Sequence, residues 1–401
     1  MRASVILSAL VAAMVGFGGT VALIVAAAQA TGADAGQTSS WVTALCLSMA
    51  ATSAYLSVKH RIPIITAWST PGAALIADTA GTIGFEAAIG AFLFAGLLVL
   101  VTAAFNPVGV LVDRIPASIA AAMLAGVLIR FATAIFEHAE TTPALVLPLV
   151  GIFLLARLAS PAGAVLVVLA AGLAMTFGLG WDEEAALDLD FATLQFIVPS
   201  FDPAVLLGLG VPLYLVTMAS QNLPGFAVLR AAGYTPPTRS ILAVTGLASI
   251  LTAPFGAHAS NLAAITASIC TGPDTHPDPE KRWLTGPVYA VAYLFLAAFG
   301  ASSVALIAAM PAALVATVAG VALLAPLANA LGAALGAGGD RLAATLTLAV
   351  TASGMTLAGI GSAFWGLAAG LLALALQAGA TRFRERRAAA PRDSVSVPPK
   401  P

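Results

Sequence analysis

Charge is what this sequence has least of: only 9% of its 401 residues are Asp, Glu, Lys or Arg. None occurs between Arg2 and Asp34, and none between Asp34 and Lys59. A bilayer core of about 30 Å needs roughly 20 apolar residues per helix, and these runs are long enough. In hydrocarbon every backbone N–H must be paired within its own element, so runs this rich in Ala, Leu and Val read as spanning helices. No stretch remains for an independent soluble domain. Cysteine is nearly absent too: Cys46 and Cys270 both lie in apolar runs, where a thiol acts as a small hydrophobe, which argues against a disulfide. There is no zinc-like Cys/His spacing, Walker A loop or dinucleotide fingerprint, so no metal, no cofactor, no nucleic-acid partner and no ATP-driven step is expected. An enzyme would need a His/Asp/Glu cluster at one depth, and none is evident.

What is present is apolar sequence in regular blocks, 60% of the chain. Arg2, the following apolar stretch and Ala28-Gln29-Ala30 imitate a secretory leader. The run from Val5 to Ala30 is, however, longer than the usual h-region of roughly 7–15 residues. Gly16-Phe17-Gly18-Gly19-Thr20 also suits close helix packing, and the run is read as a retained first span. The blocks give fourteen segments, near 4–29, 41–57, 63–78, 84–104, 115–134, 144–158, 162–180, 203–227, 240–256, 259–271, 285–306, 310–331, 341–357 and 361–380. With the N-terminus cytoplasmic, sixteen of the seventeen basic residues fall inside, all but Arg130. The acidic stretch Asp182 to Asp190 falls outside, and both termini fall on the cytoplasmic side.

Thr70-Pro-Gly-Ala-Ala-Leu-Ile-Ala77 aligns with Ser260-Asn-Leu-Ala-Ala-Ile-Thr-Ala267 at an offset of 190 residues. Each follows a full helix and a short extended stretch. Segments 3 and 10 are too short to cross as ordinary helices and read as broken half-helices. Seven segments per copy is odd, so the second copy is inverted, which is the build of secondary transporters. The expected fold is an all-α polytopic membrane protein, a 7+7 inverted repeat.

Ser69-Thr70-Pro71-Gly72 is a helix start, with a hydroxyl cap and Pro in the first turn. His258-Ala259-Ser260-Asn261 takes the matching place in the second copy, so that two helix ends would converge on an anion. Ser220-Gln221-Asn222 puts amides inside an apolar helix, where they line a cavity or bind a neighbouring helix. Phe17, Gly18 and Gly19 are the first-copy counterparts, in the site or in close packing. Phe17, Trp68 and Tyr214 are candidate walls for a planar ligand. The candidate binding residues are thus Phe17, Gly18, Ser69, Thr70, Pro71, Gly72, Gln221, Asn222, Ser260 and Asn261. Titratable groups near them are His258, Asp78 and Glu86, the candidates for proton coupling.

The segments Ile65-Thr-Ala-Trp-Ser-Thr-Pro-Gly-Ala-Ala-Leu, Met218-Ala-Ser-Gln-Asn-Leu-Pro-Gly-Phe and Pro254-Phe-Gly-Ala-His-Ala-Ser-Asn-Leu-Ala-Ala-Ile-Thr-Ala resemble the BenE family of benzoate/proton symporters, and the likeness runs to about residue 380. That family in turn is similar to the nucleobase–ascorbate and sulfate-permease transporters. The resemblance implies a core domain (1–104 and 196–306) and a gate domain (105–195 and 307–381); the cytoplasmic tail (382–401) reads as disordered from the Pro and Ser it carries from Ala388 on. It implies import of benzoate or a similar aromatic carboxylate with protons across a bacterial-type inner membrane, and leaves a homodimer open. Gln221 and Asn261 stand nearest the carboxylates of the nucleobase carriers, a departure that fits an anionic ligand, which buried glutamates would repel. A nucleobase or inorganic-anion carrier remains the alternative, and a channel a more distant one.

Overall fold

The computed structural model describes residues 2–79, 83–105, 116–159, 163–179, 193–336, 341–358, 360 and 362–389, leaving aside the side chains of 179, 308 and 382–389. Among these residues eight helices are long and apolar enough to cross a membrane, or nine if one pair bent by 63° counts as a span.

The first span is α1 (Ala3–Gly18) and α2 (Val21–Ala30), interrupted only at Gly19-Thr20. Helix α3 (Ala35–His60) begins with a reciprocal cap: Asp34 Oδ1 accepts from the Gln37 N–H at 2.8 Å and Gln37 Oε1 from the Asp34 N–H at 2.9 Å. Then come strand β1 (Thr66–Trp68), the short helix α4 (Thr70–Ala77), α5 (Phe85–Ala104), α6 (Ala117–Thr141), α7 (Pro143–Ala159) and α8 (Ala164–Leu179). The span α9 (Pro203–Ala231) contains two π-turns, Leu206–Gly210 and Met218–Asn222. It leads to α10 (Thr238–Thr252), strand β2 (Ser260–Leu262) and the short α11 (Ile265–Thr271). The chain closes with α12 (Thr285–Ala298), α13 (Gly300–Ala308), α14 (Ala312–Leu335), α15 (Arg341–Ala352) and α16 (Ser362–Ala389).

The helices pack in two groups. In one, α3 lies on α12, α5 on α10, and α1 on both α12 and α11; in the other, α6 lies on α14 and α15, α15 on α16, and α7 on α8. Helix α4 touches both groups, packing on α2 and on α6. Asp78 caps the C-terminal end of α4 and forms an ion pair with Arg130 of α6. This pair ties the two groups together at a point where a carboxylate at a helix C-terminus would otherwise be unfavourable.

Strands β1 and β2 pair antiparallel, Thr66 opposite Leu262, Ala67 opposite Asn261 and Trp68 opposite Ser260. This corrects the expected placement of the second half-helix. Ser260 and Asn261 stand on the strand, and the helix starts five residues later at Ile265. The strands start at 66 and 260 and the short helices at 70 and 265, so the copies are offset by 194 to 195 residues rather than 190. An alanine-rich match slides easily by one helical turn. The last helix also differs from expectation: it continues to Ala389, eight residues into the presumed tail, through a stretch of good helix formers. The rest of that tail and the acidic stretch 182–190 lie outside the described residues.

Two glycines permit the close approaches on which this arrangement depends. Gly256 has φ +102° and lies against Trp41, where a Cβ would come within 2.7 Å of the Trp41 Cβ. At Gly225 of α9 a Cβ would meet Leu262 Cγ at 2.6 Å and the Ala263 carbonyl at 2.7 Å. Gly225→Val should therefore push β2 away from α9 and destabilise the protein by about 1–3 kcal/mol, read as a lower unfolding temperature in detergent. An unchanged unfolding temperature would mean that this approach is not tight.

Candidate functional site

The unwound segments lie deep in the protein, where their backbone groups need partners. The strand pairing satisfies the facing sides, and side chains of neighbouring helices satisfy the other sides. From α3, Ser53 Oγ accepts from the Thr66 N–H at 3.0 Å and Ser57 Oγ from the Ile64 N–H at 3.1 Å. From α10, Ser249 Oγ accepts from the Ser260 N–H at 2.8 Å; from α9, Asn222 Oδ1 accepts from the Leu262 N–H at 2.9 Å. Ser53, Ser57, Ser249 and Asn222 are all buried. The α3 members leave a trace in the sequence: Ser48, Thr52, Ser53 and Ser57 form a polar stripe at helical intervals in an apolar helix.

The first half-helix is held at its start. Ser69 Oγ accepts from the Gly72 N–H at 3.0 Å, and Pro71 fits the first turn without needing a partner. The Ser69 carbonyl also accepts from His258 Nε2 at 2.9 Å, while His258 Nδ1 accepts from Trp41 Nε1–H at 3.2 Å. An acceptor at Nδ1 and a donor at Nε2 define one neutral tautomer, with both ring nitrogens engaged in a fully buried ring.

In front of these elements is a cavity of about 940 Å³. Its floor is made of Trp68, Thr70 and Pro71 from the first copy and Ala263 to Thr266 from the second, with Ser220 and Gln221 of α9 at the side. Helices α6 and α14 form the opposite wall through Leu124, Ala322 and Pro326. The cavity extends toward the ends of the helices near Ala103, Pro116, Arg230 and Arg239. Among the described residues no Asp or Glu lines it. Trp68 is braced by its Nε1–H, which donates to Thr20 Oγ1 at 2.9 Å, and by edge contacts with Phe17 and Tyr293, each at 6.0 Å.

Of the ten candidate binding residues, Thr70, Pro71 and Gln221 line the cavity. Ser69, Gly72, Asn222, Ser260 and Asn261 lie behind it, Gly72 so close to Leu213 that a Cβ would approach its Cδ1 to 2.6 Å. Ser260 Oγ meets Ser48 Oγ, and Asn261 Nδ2–H donates to the Leu262 carbonyl at 3.1 Å, its Oδ1 without a partner among the described residues. Phe17 supports Trp68, and Gly18 faces Leu166 of α8, where a Cβ would come within 2.5 Å of Leu166 Cδ2. Tyr214 is not at the cavity either; its hydroxyl pairs with Thr102. Asp78 pairs with Arg130, and Glu86 is exposed in the first turn of α5, its carbonyl accepting from the Ser200 N–H at 2.9 Å. The hydroxyls of Thr70 and Ser220 and the amide of Gln221 have no hydrogen-bond partner among the described residues. Tyr293, Arg230, Arg239 and Asn329 line the cavity but escaped the sequence reading, because nothing in their local sequence marks them.

A two-group helical bundle with paired broken segments at its centre and a cavity open toward one end defines a membrane transport protein rather than an enzyme. The profile of the BenE family, described as "Benzoate membrane transport protein", matches residues 1–376, and the chain belongs to that family. It is 38% identical over 367 residues to the Inner membrane protein YdcO of Escherichia coli (strain K12), covering 91% of this chain and 93% of that one. It is 34% identical over 370 residues to the Benzoate membrane transport protein of Acinetobacter baylyi, covering 92% and 94%. Among solved structures it resembles the transmembrane domain of a cyanobacterium bicarbonate transporter, BicA, with TM-score 0.61 and 15% identity over 92% of this chain and 98% of the other, a likeness of fold.

Gln221 and Asn222, adjacent in sequence, should behave oppositely when truncated. Asn222→Ala leaves the buried Leu262 N–H without its acceptor and should cost about 1–3 kcal/mol of stability. Gln221→Ala should leave the unfolding temperature unchanged and lower ligand affinity. Thermal unfolding with and without ligand separates the two, and a large stability loss in Gln221→Ala would move its amide out of the cavity.

Proposed function

We propose that this protein imports benzoate or a closely similar aromatic carboxylate together with protons, holding the anion at the cavity floor between the two half-helices. The observation that carries this reading is the composition of that floor: among the described residues it holds free hydroxyls, one free amide and two aromatic walls, and no carboxylate. The Gln221 amide and Thr70 hydroxyl can donate to a carboxylate, while Trp68 and Tyr293 offer apolar surface to a ring. A hydrogen bond to a charged ligand is worth about 1.5–3 kcal/mol, or on the order of ten- to hundred-fold in affinity. The benzoate name of the relative from Acinetobacter baylyi and of the family supports the same choice.

The two packing groups support a core domain and a gate domain within a 7+7 inverted repeat, with β1–α4 and β2–α11 as segments 3 and 10. The distribution of basic residues supports cytoplasmic termini in an inner membrane. The cavity then opens to the cytoplasm and the Asp78–Arg130 pair closes the outer side. Of the three candidates for coupling, Asp78 is the one whose protonation would alter the contact between α4 and the gate, by releasing Arg130. His258 has both nitrogens engaged, so a proton on Nδ1 would displace the Trp41 N–H. We infer that external acid favours outer opening through Asp78, and that the proton carried inward accompanies the anion.

The test is uptake of labelled benzoate by proteoliposomes with an acidic exterior, with uracil, sulfate and bicarbonate as competitors. Accumulation that collapses with the pH gradient and is competed by benzoate analogues is the expected result. Competition by uracil or bicarbonate but not by benzoate would assign the alternative substrate class. In the same vesicles Asp78→Asn should retain benzoate counterflow while uptake loses most of its dependence on external pH. A wild-type pH profile in Asp78→Asn would leave the outer ion pair without a part in coupling.

A further inference from the structure

The mouth of the cavity carries positive charge that the floor does not use. Arg230, in the last turn of α9 (Pro203–Ala231), and Arg239, in the first turn of α10 (Thr238–Thr252), both line it from the two sides of one short connection. Both are exposed, and neither pairs with a carboxylate among the described residues. Arg230 suits the negative end of its helix. Arg239 does not suit its own: a cation in the first turn works against the positive helix end, and no acidic residue in that turn offsets it. Its charge therefore serves something other than the helix it stands on. Beside the two arginines the cavity is lined by Thr238 and, from the facing helix α14, by Asn329, whose side chains have no hydrogen-bond partner among the described residues.

An anion leaving the floor for water crosses a passage walled mainly by Ala, Leu and Pro, where a negative charge is poorly solvated. Charge of one sign at the mouth of a low-dielectric cleft focuses the field along it and raises the local concentration of the counter-ion. We propose that Arg230 and Arg239, with Thr238 and Asn329, form a second carboxylate-binding station at the mouth, on which the anion rests between the floor and the solution. This rests on the anion-carrier reading and adds a sidedness that the reading alone does not contain: the station should matter for ligand approaching from this face and not from the other. Being exposed, it should also be screened by salt over a distance of about 8 Å at physiological ionic strength.

The experiment uses the full chain in vesicles of phosphatidylcholine, with orientation fixed by sorting, and measures benzoate KM separately from each face. In Arg230→Gln/Arg239→Gln the KM from the cavity face should rise about ten-fold and lose its dependence on ionic strength, while the KM from the opposite face stays within about two-fold. Arg230→Lys/Arg239→Lys, which keeps the charge, should recover most of the loss. The single variant Arg239→Gln, expected to shift in the same direction, serves if the double variant does not fold. Equal changes from both faces, or no change from either, would overturn the station while leaving the carrier reading intact. An effect seen only after phosphatidylglycerol is added would assign the arginines to a lipid headgroup and overturn the station as well. Wild-type vesicles that move no benzoate from either face would overturn the carrier reading and the station together.

Discussion

Everything near the centre of this protein depends on the antiparallel pairing of two three-residue strands. A polypeptide that unwinds in hydrocarbon exposes N–H and C=O groups that water cannot reach, each at a cost of several kcal/mol. Here the two unwound segments solve the problem for each other, with Ala67 opposite Asn261, and the Ala263 N–H donating to the Ile65 carbonyl at 2.9 Å. The donors left on the outer sides are taken by Ser53, Ser57, Ser249 and Asn222. Because the strands run antiparallel, the chain leaves them toward the two short helices in opposite directions. Antiparallel pairing is what an inverted repeat with an axis in the membrane plane would produce.

This satisfaction of the backbone sorts the polar side chains into two kinds. Those behind the strands are spent on structure: Ser69 caps α4, Asn222 holds β2, and His258 ties the Ser69 carbonyl to Trp41. Those in front, Thr70, Ser220 and Gln221, have nothing to bind within the described residues and face the cavity. Gln221 and Asn222 close the π-turn Met218–Asn222, and adjacent residues on a helix point about 100° apart, so the two amides face different neighbours. A bound anion would thus meet groups that are already positioned and that give up no internal bond to receive it.

That division also explains which parts were legible in the sequence. Spanning helices were, because apolar runs bounded by charge leave few other readings. The start of α4 was, because Ser-Thr-Pro-Gly carries its own cap and first turn. The start of α11 was not: Ala263-Ala264-Ile265 has no capping side chain, and the hydroxyl and amide of Ser260-Asn261, which looked like a cap, belong to the strand. Local chemistry identified polar residues worth noticing but could not say which side of a strand they would occupy. Arg230 and Arg239 read as ordinary flanking charges, since only the fold brings the ends of α9 and α10 to the rim of one cavity.

The two ends of the molecule are built from opposite electrostatics. At the cavity end, Arg230 and Arg239 stand at the mouth with no carboxylate partner among the described residues. At the other end the one basic residue that broke the sidedness pattern, Arg130, is neutralised by Asp78 across the boundary between α4 and α6. Arg130 lies thirteen residues beyond Ala117 at the cavity end of α6, a rise of about 20 Å, so the pair and the mouth are separated by most of a bilayer core. With a side-chain exposure of 43% for Arg130 and 10% for Asp78, the pair lies between the exposed and the buried limits of ion-pair strength. In the carrier proposed here the pair would serve as a closure opposite the cavity mouth, one that a movement of α4 away from α6 would break.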